Sequence, residues 1–346
     1  MNKELLYQKL GEWYEQNHRI LPWRETDDPY KIWISEIILQ QTRVAQGMEY
    51  YHRLITRFPD IQSLADAEED EVLLYWQGLG YYSRARNLHK AAQLMKNHKI
   101  FHLSNVECLK LKDEEIFSAL RSMPGVGDYT AGAIASFAFN LPYPALDGNV
   151  YRVLSRLYDC EIAFDTTQGK KHFRKLAEEL LDRQRPRLFN SAIMELGALV
   201  CLPIKPMCDE CPLRTWCKAL ANNTVELLPV RKPRVKVRDR FLEYTIYITP
   251  ENKTLIHQRK GNDIWKHLWE FPLEELRIKN FELRSKGERT VELTHVLSHQ
   301  KLHARFVVKN VPELPEIPDT LVVSLNDLDN YAFSRLTLNA LEKFAL

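Results

Sequence analysis

Residues Leu120–Val150 read LRSMPGVGDYTAGAIASFAFNLPYPALDGNV, and this stretch decides the fold that we expect for the chain. Pro124, Gly125 and Gly127 predict a tight turn between two helical patterns, ALRSM before it and TAGAIASFAF after it. The backbone N–H groups of Gly125, Val126 and Gly127 would then face outward at a helix N-terminus, where they suit a phosphate oxygen. The same pattern is also compatible with an ordinary helix-capping loop.

Length, charge and hydropathy limit the kind of protein that this can be. The chain has 346 residues, enough for two domains with a core each. Its formal net charge is only +2, so a nucleic acid would have to be bound by local basic patches. No run of about 18 apolar residues occurs, and the start, MNKELLYQKLGEWYEQNHR, is amphipathic rather than signal-like. We therefore expect a cytoplasmic protein with no membrane partner.

Hydrophobic periodicity divides the chain into a helical part and a part rich in strands. Apolar residues return every three or four positions as far as about Ala221, which predicts about ten helices and no strand. Residues 222–240 contain two prolines, and six of the last ten of these residues are basic, a composition typical of a linker. From Phe241 onward, segments such as FLEYTIYIT and HARFVVKNV alternate with period two, and helical spacing returns only in SRLTLNALEKFAL. We predict a second, α/β domain over 241–346.

Four of the six cysteines lie together in the segment CLPIKPMCDECPLRTWC. They are Cys201, Cys208, Cys211 and Cys217. In a reducing compartment, thiols crowded in this way favour a metal centre over disulfides. Zinc is possible on ligand chemistry alone, because four cysteines make a closed tetrahedral site. The other two, Cys108 and Cys160, are isolated in sequence, and we expect them to be plain buried residues.

Glu36 and Asp147 are the carboxylates that could carry out chemistry. Glu36 lies in WISEIILQQT, on a mostly apolar helix, so it is either paired with an arginine or an acid with a raised pKa. Asp147 lies in LDGNV, about twenty residues after the predicted hairpin. Cleavage of an N-glycosidic bond needs a proton donor for the leaving base and a negative group near the sugar. These two side chains can fill both positions.

Six motifs in order resemble the MutY-type adenine DNA glycosylases of the helix-hairpin-helix and endonuclease III superfamily. They are LPWR, PYKIWISEIILQQTRV, GLGYYSRARNL, MPGVGDYTAGAI, LDGNVYRVLSR and IMELGALVC. The resemblance implies a multidomain protein whose catalytic region, 1–221, is all-α. Within that region it implies a six-helix domain with the hairpin at about 26–136, and an iron–sulfur domain made of 1–25 plus 137–221. It also implies that the four clustered cysteines hold a [4Fe–4S] cluster, which Cys₄ ligation suits.

The same resemblance implies an activity and a role for individual residues. The family removes adenine mispaired with 8-oxoguanine or guanine from double-stranded DNA, as a step of base excision repair. Glu36 would protonate adenine and later handle the water, and Asp147 would stabilise or capture the sugar cation. Tyr129 would pack beside the sugar, and Asn149 would support Asp147. The residues expected to contact the mispair are Arg24 and Glu195 around adenine, and Gln41, Leu79 and Tyr81 near 8-oxoguanine.

Residues 241–346 resemble the Nudix-like C-terminal domain of the same family. NDIWKHLWEFPLEE matches the start of that fold, but no REUxEExG helix of acidic metal ligands follows it, so nucleotide hydrolysis is not expected. The family reads 8-oxoguanine with a Phe-Ser-His loop, and this chain has Leu297, Ser298 and His299. Leucine can fill a gap but cannot stack as an aromatic ring does. We therefore expect Ser298 to make the hydrogen-bonding contact, with His299 beside it.

One substitution distinguishes this chain from its near relatives. Endonuclease III-like enzymes carry a lysine in the helix after the hairpin, and its amine forms an imine with the sugar before the strand is cleaved. Tyr129 stands there instead, and a phenol cannot form an imine. The resemblance thus implies a monofunctional glycosylase, which we expect to be a monomer. Two alternatives stay open, an endonuclease III-like lyase acting on oxidised pyrimidines and a non-catalytic iron–sulfur protein that only binds lesions.

Overall fold

The computed structural model of the protein describes residues 2–102, 112–232, 237–276 and 289–346. The chain divides into two compact units, each of which combines segments that are distant in sequence. The first unit contains Met1–Val44, Asp60–Gln62 and Ala91–Pro233. The second unit contains Ala45–Pro59, Ser63–Lys90 and Arg234–Leu346.

Helices account for the regular structure of the described residues up to 232. The α-helices are α1 (Lys3–Asn17), α2 (Pro29–Leu39), α3 (Val44–Arg57), α4 (Ile61–Asp66), α5 (Glu69–Trp76), α6 (Ser83–Met95), α7 (Asp113–Ser122), α8 (Asp128–Phe139), α9 (Gly148–Tyr158), α10 (Thr167–Leu180), α11 (Pro186–Leu199) and α12 (Lys218–Ala221). In this part of the described chain no strand occurs, as predicted. None of the described helices is both long and apolar enough to cross a membrane.

The helix α2 begins where its sequence signals predict. Asp28 is its N-cap and accepts a hydrogen bond from the backbone N–H of Tyr30 at 2.9 Å, and Pro29 occupies the first helical position. Every residue from 32 to 38 is buried, and this run includes Glu36. The helix is therefore a core element that carries a carboxyl group into the interior.

The predicted hairpin joins α7 to α8. Gly125 has φ of 79°, a left-handed conformation that glycine adopts at little cost, and Val126 N–H donates to the carbonyl oxygen of Met123 at 3.1 Å. Gly127 is the N-cap of α8 and makes no side-chain capping hydrogen bond. The first N–H groups of a helix have no partner within the helix, so this terminus is suited to an external acceptor.

The core of the first unit forms where α1, α9, α10 and α11 meet. Leu6 of α1, Leu154 of α9, Phe173 of α10 and Leu196 of α11 are fully buried members of one hydrophobic cluster. The backbones of α11 and α9 approach closely, because a Cβ atom at Gly197 would lie 2.6 Å from the Cβ of Asn149. Glycine at 197 therefore allows the start of α9 to pack directly against α11.

Seven strands, a 3₁₀ helix over Leu325–Asn330 and a final α-helix form the regular structure of residues 237–276 and 289–346. The strands are β1 (Arg238–Ile248), β2 (Lys253–Gln258), β3 (Trp269–Glu270), β4 (Leu273–Leu276), β5 (Arg289–Val296), β6 (Gln300–Asn310) and β7 (Leu321–Ser324), and the helix is α13 (Arg335–Phe344). One sheet has the order β4-β1-β6-β5 and the other β3-β2-β7. β1 and β6 run parallel, from Arg238 opposite Gln300 to Ile248 opposite Asn310, and the other pairings are antiparallel.

The alternating segments of the sequence form these strands, and SRLTLNALEKFAL forms α13, as predicted. Between the strands, the rings of Tyr244 and Phe306 stack at 4.5 Å in the core of the second unit. β1 begins inside the predicted linker, and the domain boundaries at 221 and 241 stay predictions. Cys160 is buried, as expected. Cys108 and the segment 277–288, where a REUxEExG helix would fall, lie outside the described residues.

Candidate active site

A cavity of about 470 Å³ lies in the first unit. Among the residues that line it are seven of those predicted from the sequence. They are Arg24, Glu36, Gln41, Tyr129, Asp147, Asn149 and Glu195. These side chains come from α2, α8, the start of α9, α11 and the segments that flank α2. The fold therefore brings together both predicted carboxylates and the residues predicted to surround adenine.

Glu36 and Tyr129 are in direct contact in this cavity. The Tyr129 hydroxyl donates a hydrogen bond of 2.7 Å to Oε2 of Glu36, which is only 5% exposed. Burial raises the pKa of Glu36 to about 7, against the opposing effects of this hydrogen bond and of the Arg24 charge. Burial and the two nearby carboxyls raise the pKa of Tyr129 well above its ordinary value, so the phenol stays a donor. Near neutral pH, Glu36 can thus hold or release a proton.

Asp147 is the N-cap of α9, and its carboxylate is held in a fixed orientation. Oδ1 accepts from the backbone N–H of Val150 at 2.8 Å, and Oδ2 accepts from the side-chain amide of Asn149 at 2.7 Å. Burial raises the pKa of Asp147 above its ordinary value, while these hydrogen bonds oppose that shift. The dipole of α9 and the two donors favour the charged form in this position.

Arg152, which we did not predict, connects the support of this carboxylate to the cysteine loop. Its Nη2 donates to Oδ1 of Asn149 at 2.8 Å and to the carbonyl oxygen of Gly197 at 2.6 Å. Its Nε donates to the carbonyl oxygen of Cys201 at 2.6 Å. The guanidinium therefore fixes the side-chain amide of Asn149 so that its N–H₂ group points at Asp147. Sequence spacing could have suggested only that residues 149 and 152 share a helix face.

Glu195 is bound by Arg19, another residue that sequence reasoning missed. Nε and Nη2 of Arg19 donate to the two carboxylate oxygens of Glu195 at 2.6 and 3.0 Å, and the backbone N–H of Arg19 adds a third bond at 3.1 Å. Burial alone would raise the pKa of Glu195, but the hydrogen bonds from Arg19 outweigh it and lower the pKa. Glu195 is 1% exposed and stays ionised as a fixed acceptor at one wall of the cavity.

Two glutamines at the end of α2 also line this cavity. Gln40, which we did not predict, donates from Nε2 to the hydroxyl of Thr130 at 3.1 Å. Gln41 is exposed and has φ of 61°, a left-handed conformation that is uncommon for residues other than glycine. Such backbone strain concentrates at functional sites. The unusual conformation turns the chain sharply at the mouth of the cavity.

Tyr129 also lines a second cavity, of about 290 Å³, that lies beside the hairpin in the first unit. Gly127 and Asp128 of the hairpin, together with Lys170 and Arg174 of α10, contribute to its lining. Nη1 of Arg174 contacts the carboxylate of Asp128 at 3.2 Å. The reactive cavity and the open end of α8 are thus adjacent, with Tyr129 between them.

The four clustered cysteines lie in the loops that follow α11. Burial, and then the thiols of Cys201, Cys217 and Cys208, raise the pKa of Cys211 to about 12, so these three sulfurs lie close enough to affect Cys211. A guanidinium nitrogen of Arg156 lies 3.3 Å from Sγ of Cys201. In the described part of the chain, no three His, Cys, Asp or Glu side chains are grouped closely enough to hold a single metal ion.

The remaining predicted residues belong to the second unit, where Leu79, Tyr81, Ser298 and His299 line one cavity of about 450 Å³. Tyr81 is 50% exposed and has φ of 48°, whereas Leu79 is 7% exposed. Ser298 and His299 are exposed at the turn between β5 and β6. The Ser298 hydroxyl and Nδ1 of His299 lie 3.4 Å apart. The loop after α5 and the β5–β6 turn therefore line the same cavity.

Comparison with known proteins identifies two families in the chain. Residues 34–183 match the HhH-GPD superfamily of base excision DNA repair proteins, and residues 243–343 match the NUDIX domain. An adenine DNA glycosylase of Buchnera aphidicola subsp. Baizongia pistaciae is 36% identical over 318 residues, which are 88% of this chain and 85% of that protein. The adenine DNA glycosylase of Homo sapiens is 40% identical over 218 residues, 61% of this chain and 38% of the human protein.

A solved structure agrees with these matches at the level of the fold. The thermostable thymine-DNA glycosylase superposes with a TM-score of 0.55 at 24% identity, and the alignment covers 64% of this chain and 97% of that one. The family resemblance inferred from the ordered motifs is confirmed, and so is the combination of a helical glycosylase region with a Nudix-like C-terminal domain. By its similarity over nearly its whole length, the chain belongs to the adenine DNA glycosylase family.

Proposed function

We propose that this protein is a monofunctional DNA glycosylase that removes adenine mispaired with 8-oxoguanine or guanine by hydrolysis. One observation carries the proposal: Glu36, with a pKa raised to about 7, shares a cavity with the fixed carboxylate of Asp147. A proton donor and a negative group are what cleavage of an N-glycosidic bond requires. The motif order and the adenine DNA glycosylase relatives support adenine as the base.

The chemical step uses the two carboxyls in different ways. Protonated Glu36 donates its proton to an imidazole nitrogen of adenine, so the electron pair of the glycosidic bond leaves with a neutral base. The sugar carbon is left with a positive charge, which the carboxylate of Asp147 stabilises or captures. Water then adds to that carbon, and Glu36 accepts the proton that the water releases. Water is the only co-reactant, and the products are free adenine and an abasic site.

The groups around the carboxyls prepare them for these roles. The Tyr129 hydrogen bond orients Glu36 and supports its charged form after the proton has left. Asn149, fixed by Arg152, keeps Asp147 oriented. We assign Glu195 and Arg24, at the cavity wall, to recognition of the adenine edge. Adenine can enter this site only after extrusion from the duplex, because the glycosidic bond is not accessible within the base stack.

The DNA partner is a duplex with a mispaired adenine, bound by a monomer. We assign the hairpin residues Gly125, Val126 and Gly127 at the N-terminus of α8 to one phosphate of the backbone, a contact that positions the duplex without reading sequence. We propose that Gln41, Leu79 and Tyr81 contact the stacked bases near 8-oxoguanine. In the Nudix-like domain we assign Ser298 and His299 to 8-oxoguanine, since both are exposed and polar. The burial of Leu79 means that this residue would have to become accessible in the complex.

We further propose that Cys201, Cys208, Cys211 and Cys217 hold a [4Fe–4S] cluster. Burial, and then the neighbouring thiols, raise the pKa of Cys211, and the positive charge of iron would favour its thiolate. Four cysteines are the ligand set that such a cluster needs. Held by them, it would stabilise the loops after α11. It supplies no step of base removal.

A single assay tests the activity. Duplexes that contain adenine opposite 8-oxoguanine are incubated with the protein, and strands are separated with and without alkali. We expect release of free adenine and strand breaks that appear mainly after alkali treatment. Because Tyr129 cannot form an imine, borohydride should trap little protein on DNA, and Tyr129→Lys should increase trapping. Efficient trapping by the unaltered protein would instead favour the endonuclease III-like alternative. Binding of lesions without any base release would favour the non-catalytic one.

A further inference from the structure

The cavity of about 450 Å³ in the second unit contains an aromatic residue that none of the assignments above uses. Three segments, 78–83, 263–265 and 295–299, line this cavity together with Arg86 and Arg335. Trp265 is half-buried and belongs to the second of them, between the loop with Tyr81 and the turn with Leu297. The volume of this cavity suits a group the size of a nucleobase, since ligand pockets begin at roughly 300 Å³.

The backbone at Trp265 is strained. Its φ is 57°, in the left-handed region, which bulky side chains rarely adopt. Its carbonyl oxygen accepts a hydrogen bond from Leu268 N–H at 3.0 Å, and the carbonyl oxygen of Ile264 accepts from Nε of Arg259 at 2.9 Å. Strain of this kind persists only where neighbouring contacts enforce it, and it concentrates where a side chain must point in a particular direction.

Arg86 fixes the segment of Trp265 beside the loop that carries Tyr81. Arg86 lies on α6, and its Nη1 donates to the carbonyl oxygen of Lys266 at 2.7 Å. The loop itself is fixed as well, because the carbonyl oxygen of Gly80 accepts from Nε1 of Trp76 at 3.0 Å and from Nη2 of Arg84 at 3.2 Å. Tyr81 and Trp265 are therefore both held in place on the walls of the same cavity.

On the other side, Trp265 packs against the strand that leads to the β5–β6 turn. Its ring meets the ring of His295 edge to face, with centroids 5.9 Å apart and planes at 61°. Burial lowers the pKa of His295, so this neighbour is an uncharged ring at neutral pH. Leu297, two residues later, has no aromatic face to offer. Besides the histidines and the buried Tyr82, Trp265 and Tyr81 are thus the aromatic groups that line this cavity with Ser298 and His299.

We propose that Trp265 determines specificity for the lesion, by making the aromatic contact to the 8-oxoguanine nucleotide that Leu297 cannot make. This inference rests on the proposed function. Indole offers the largest aromatic face among the side chains, and stacking contacts between bases and aromatic side chains are a major source of affinity. A fixed ring loses little conformational freedom when the base arrives. The hydrogen-bonding groups of Ser298 and His299 then read the polar edge of the base beside it.

Binding to two duplexes tests the proposal. Both carry an uncleavable adenosine analogue, opposite 8-oxoguanine in one and opposite guanine in the other. We expect Trp265→Ala to weaken binding to the 8-oxoguanine duplex by about 5-fold to 100-fold and binding to the guanine duplex by clearly less. Trp265→Phe should retain most of the preference. The matched control is Trp269→Phe, because Trp269 packs edge to face on Tyr331 and does not line the cavity.

The melting temperature of each variant shows whether it is folded, and Trp265→Leu replaces the alanine variant if that one is not. Equal weakening on both duplexes, or an unchanged preference, would overturn the role of Trp265. Equal affinity of the unaltered protein for the two duplexes would also overturn the role of Trp265. A parallel assay of adenine release separates the two levels of failure. Absence of release by the unaltered protein refutes the proposed function, whereas normal release with an unchanged preference in Trp265→Ala refutes this inference alone.

Discussion

The hydroxyl of Tyr129 lies 2.7 Å from Oε2 of Glu36 and donates to it, inside a cavity where burial favours the neutral acid. The two effects oppose each other, because a hydrogen bond to the carboxylate stabilises the charged form. Their balance leaves the pKa of Glu36 at about 7. An acid with a pKa near the working pH can both give and recover a proton, which is the condition for efficient general acid catalysis.

The rate of base removal should fall as pH rises through about 7. The form of Glu36 that donates a proton is the neutral acid, which predominates below its pKa and declines about tenfold per pH unit above it. Single-turnover release of adenine, measured from pH 5.5 to 9, should therefore show a plateau at low pH and a descending limb. A rate that increases across this range would exclude Glu36 as the proton donor.

Removing the phenol hydroxyl should move that descending limb to higher pH. Tyr129→Phe deletes the hydrogen bond that lowers the pKa of Glu36 but keeps the ring, so burial acts unopposed by this donor. Single-turnover release of adenine by the variant over the same pH range gives the midpoint of its descending limb. Tyr151→Phe is a suitable control, because Tyr151 does not line the cavity that holds Glu36. An unchanged midpoint in Tyr129→Phe would mean that the hydrogen bond does not tune the acid.

Variants of the two carboxyls should separate binding from chemistry. Glu36→Gln should still bind the mispair but lose at least the ~10²–10⁴-fold that general acid catalysis contributes, and Asp147→Asn should be similarly impaired. Asn149→Ala removes one hydrogen bond to Asp147, worth about 1–3 kcal/mol, so its loss of rate should be about tenfold or more and smaller than that of Asp147→Asn. Near-normal release by either carboxyl variant would mean that the roles belong to other residues.

The metal centre should be visible in the purified protein. We expect a brown solution with about four irons per chain, and a colourless protein with stoichiometric zinc would contradict the cluster. Cys208→Ser should lower the iron content, the stability and the DNA affinity of the protein more than it lowers the rate of base removal. Cys160→Ser is the matched control, because Cys160 is buried and outside the four predicted ligands. Equal iron content in both variants would remove Cys208 from the ligand set.

Ser298→Ala combined with His299→Ala should reduce activity more on adenine opposite 8-oxoguanine than on adenine opposite guanine. Both residues are exposed on the cavity of the second unit, and a lost hydrogen bond to a buried polar group costs about 1–3 kcal/mol. The preference for adenine opposite 8-oxoguanine over adenine opposite guanine should therefore decrease by about tenfold or more. The ratio of single-turnover rates on the two duplexes measures it. Equal losses on both would place the β5–β6 turn outside lesion recognition.

Local signals in the sequence predicted the elements that carry the site. The cap at Asp28, the glycines of the hairpin and the alternation of β6 each depend on near neighbours in the chain, so they can be read without the fold. Glu36 and Asp147 could be selected as a pair, because cleavage of an N-glycosidic bond needs a proton donor and a negative group, and because both lie in motifs that resemble those of the family.

Contacts between distant segments had no such signal. Arg19 and Glu195 are 176 residues apart, and nothing in either segment marks them as partners. Arg152 reaches Cys201 across 49 residues, and its role depends on the close approach of two helices. The left-handed conformations of Gln41 and Trp265 were equally hidden, because favourable sequence patterns predict glycine at such positions. Fixed tertiary contacts impose them against the local preference.

The packing of α1 against α11 has a consequence for how the protein folds during synthesis. Leu6 and Leu10 are buried in a core whose other members begin at Leu146. At ~5–20 residues per second, the ribosome reaches α11 roughly ten seconds or more after it has completed α1. Until Leu146 is made, the apolar face of α1 has no partner in this core, and until α11 is made the core is incomplete. The helix α1 is thus stabilised long after its own synthesis, and a nascent chain stalled before Leu146 should bind holdase chaperones through it.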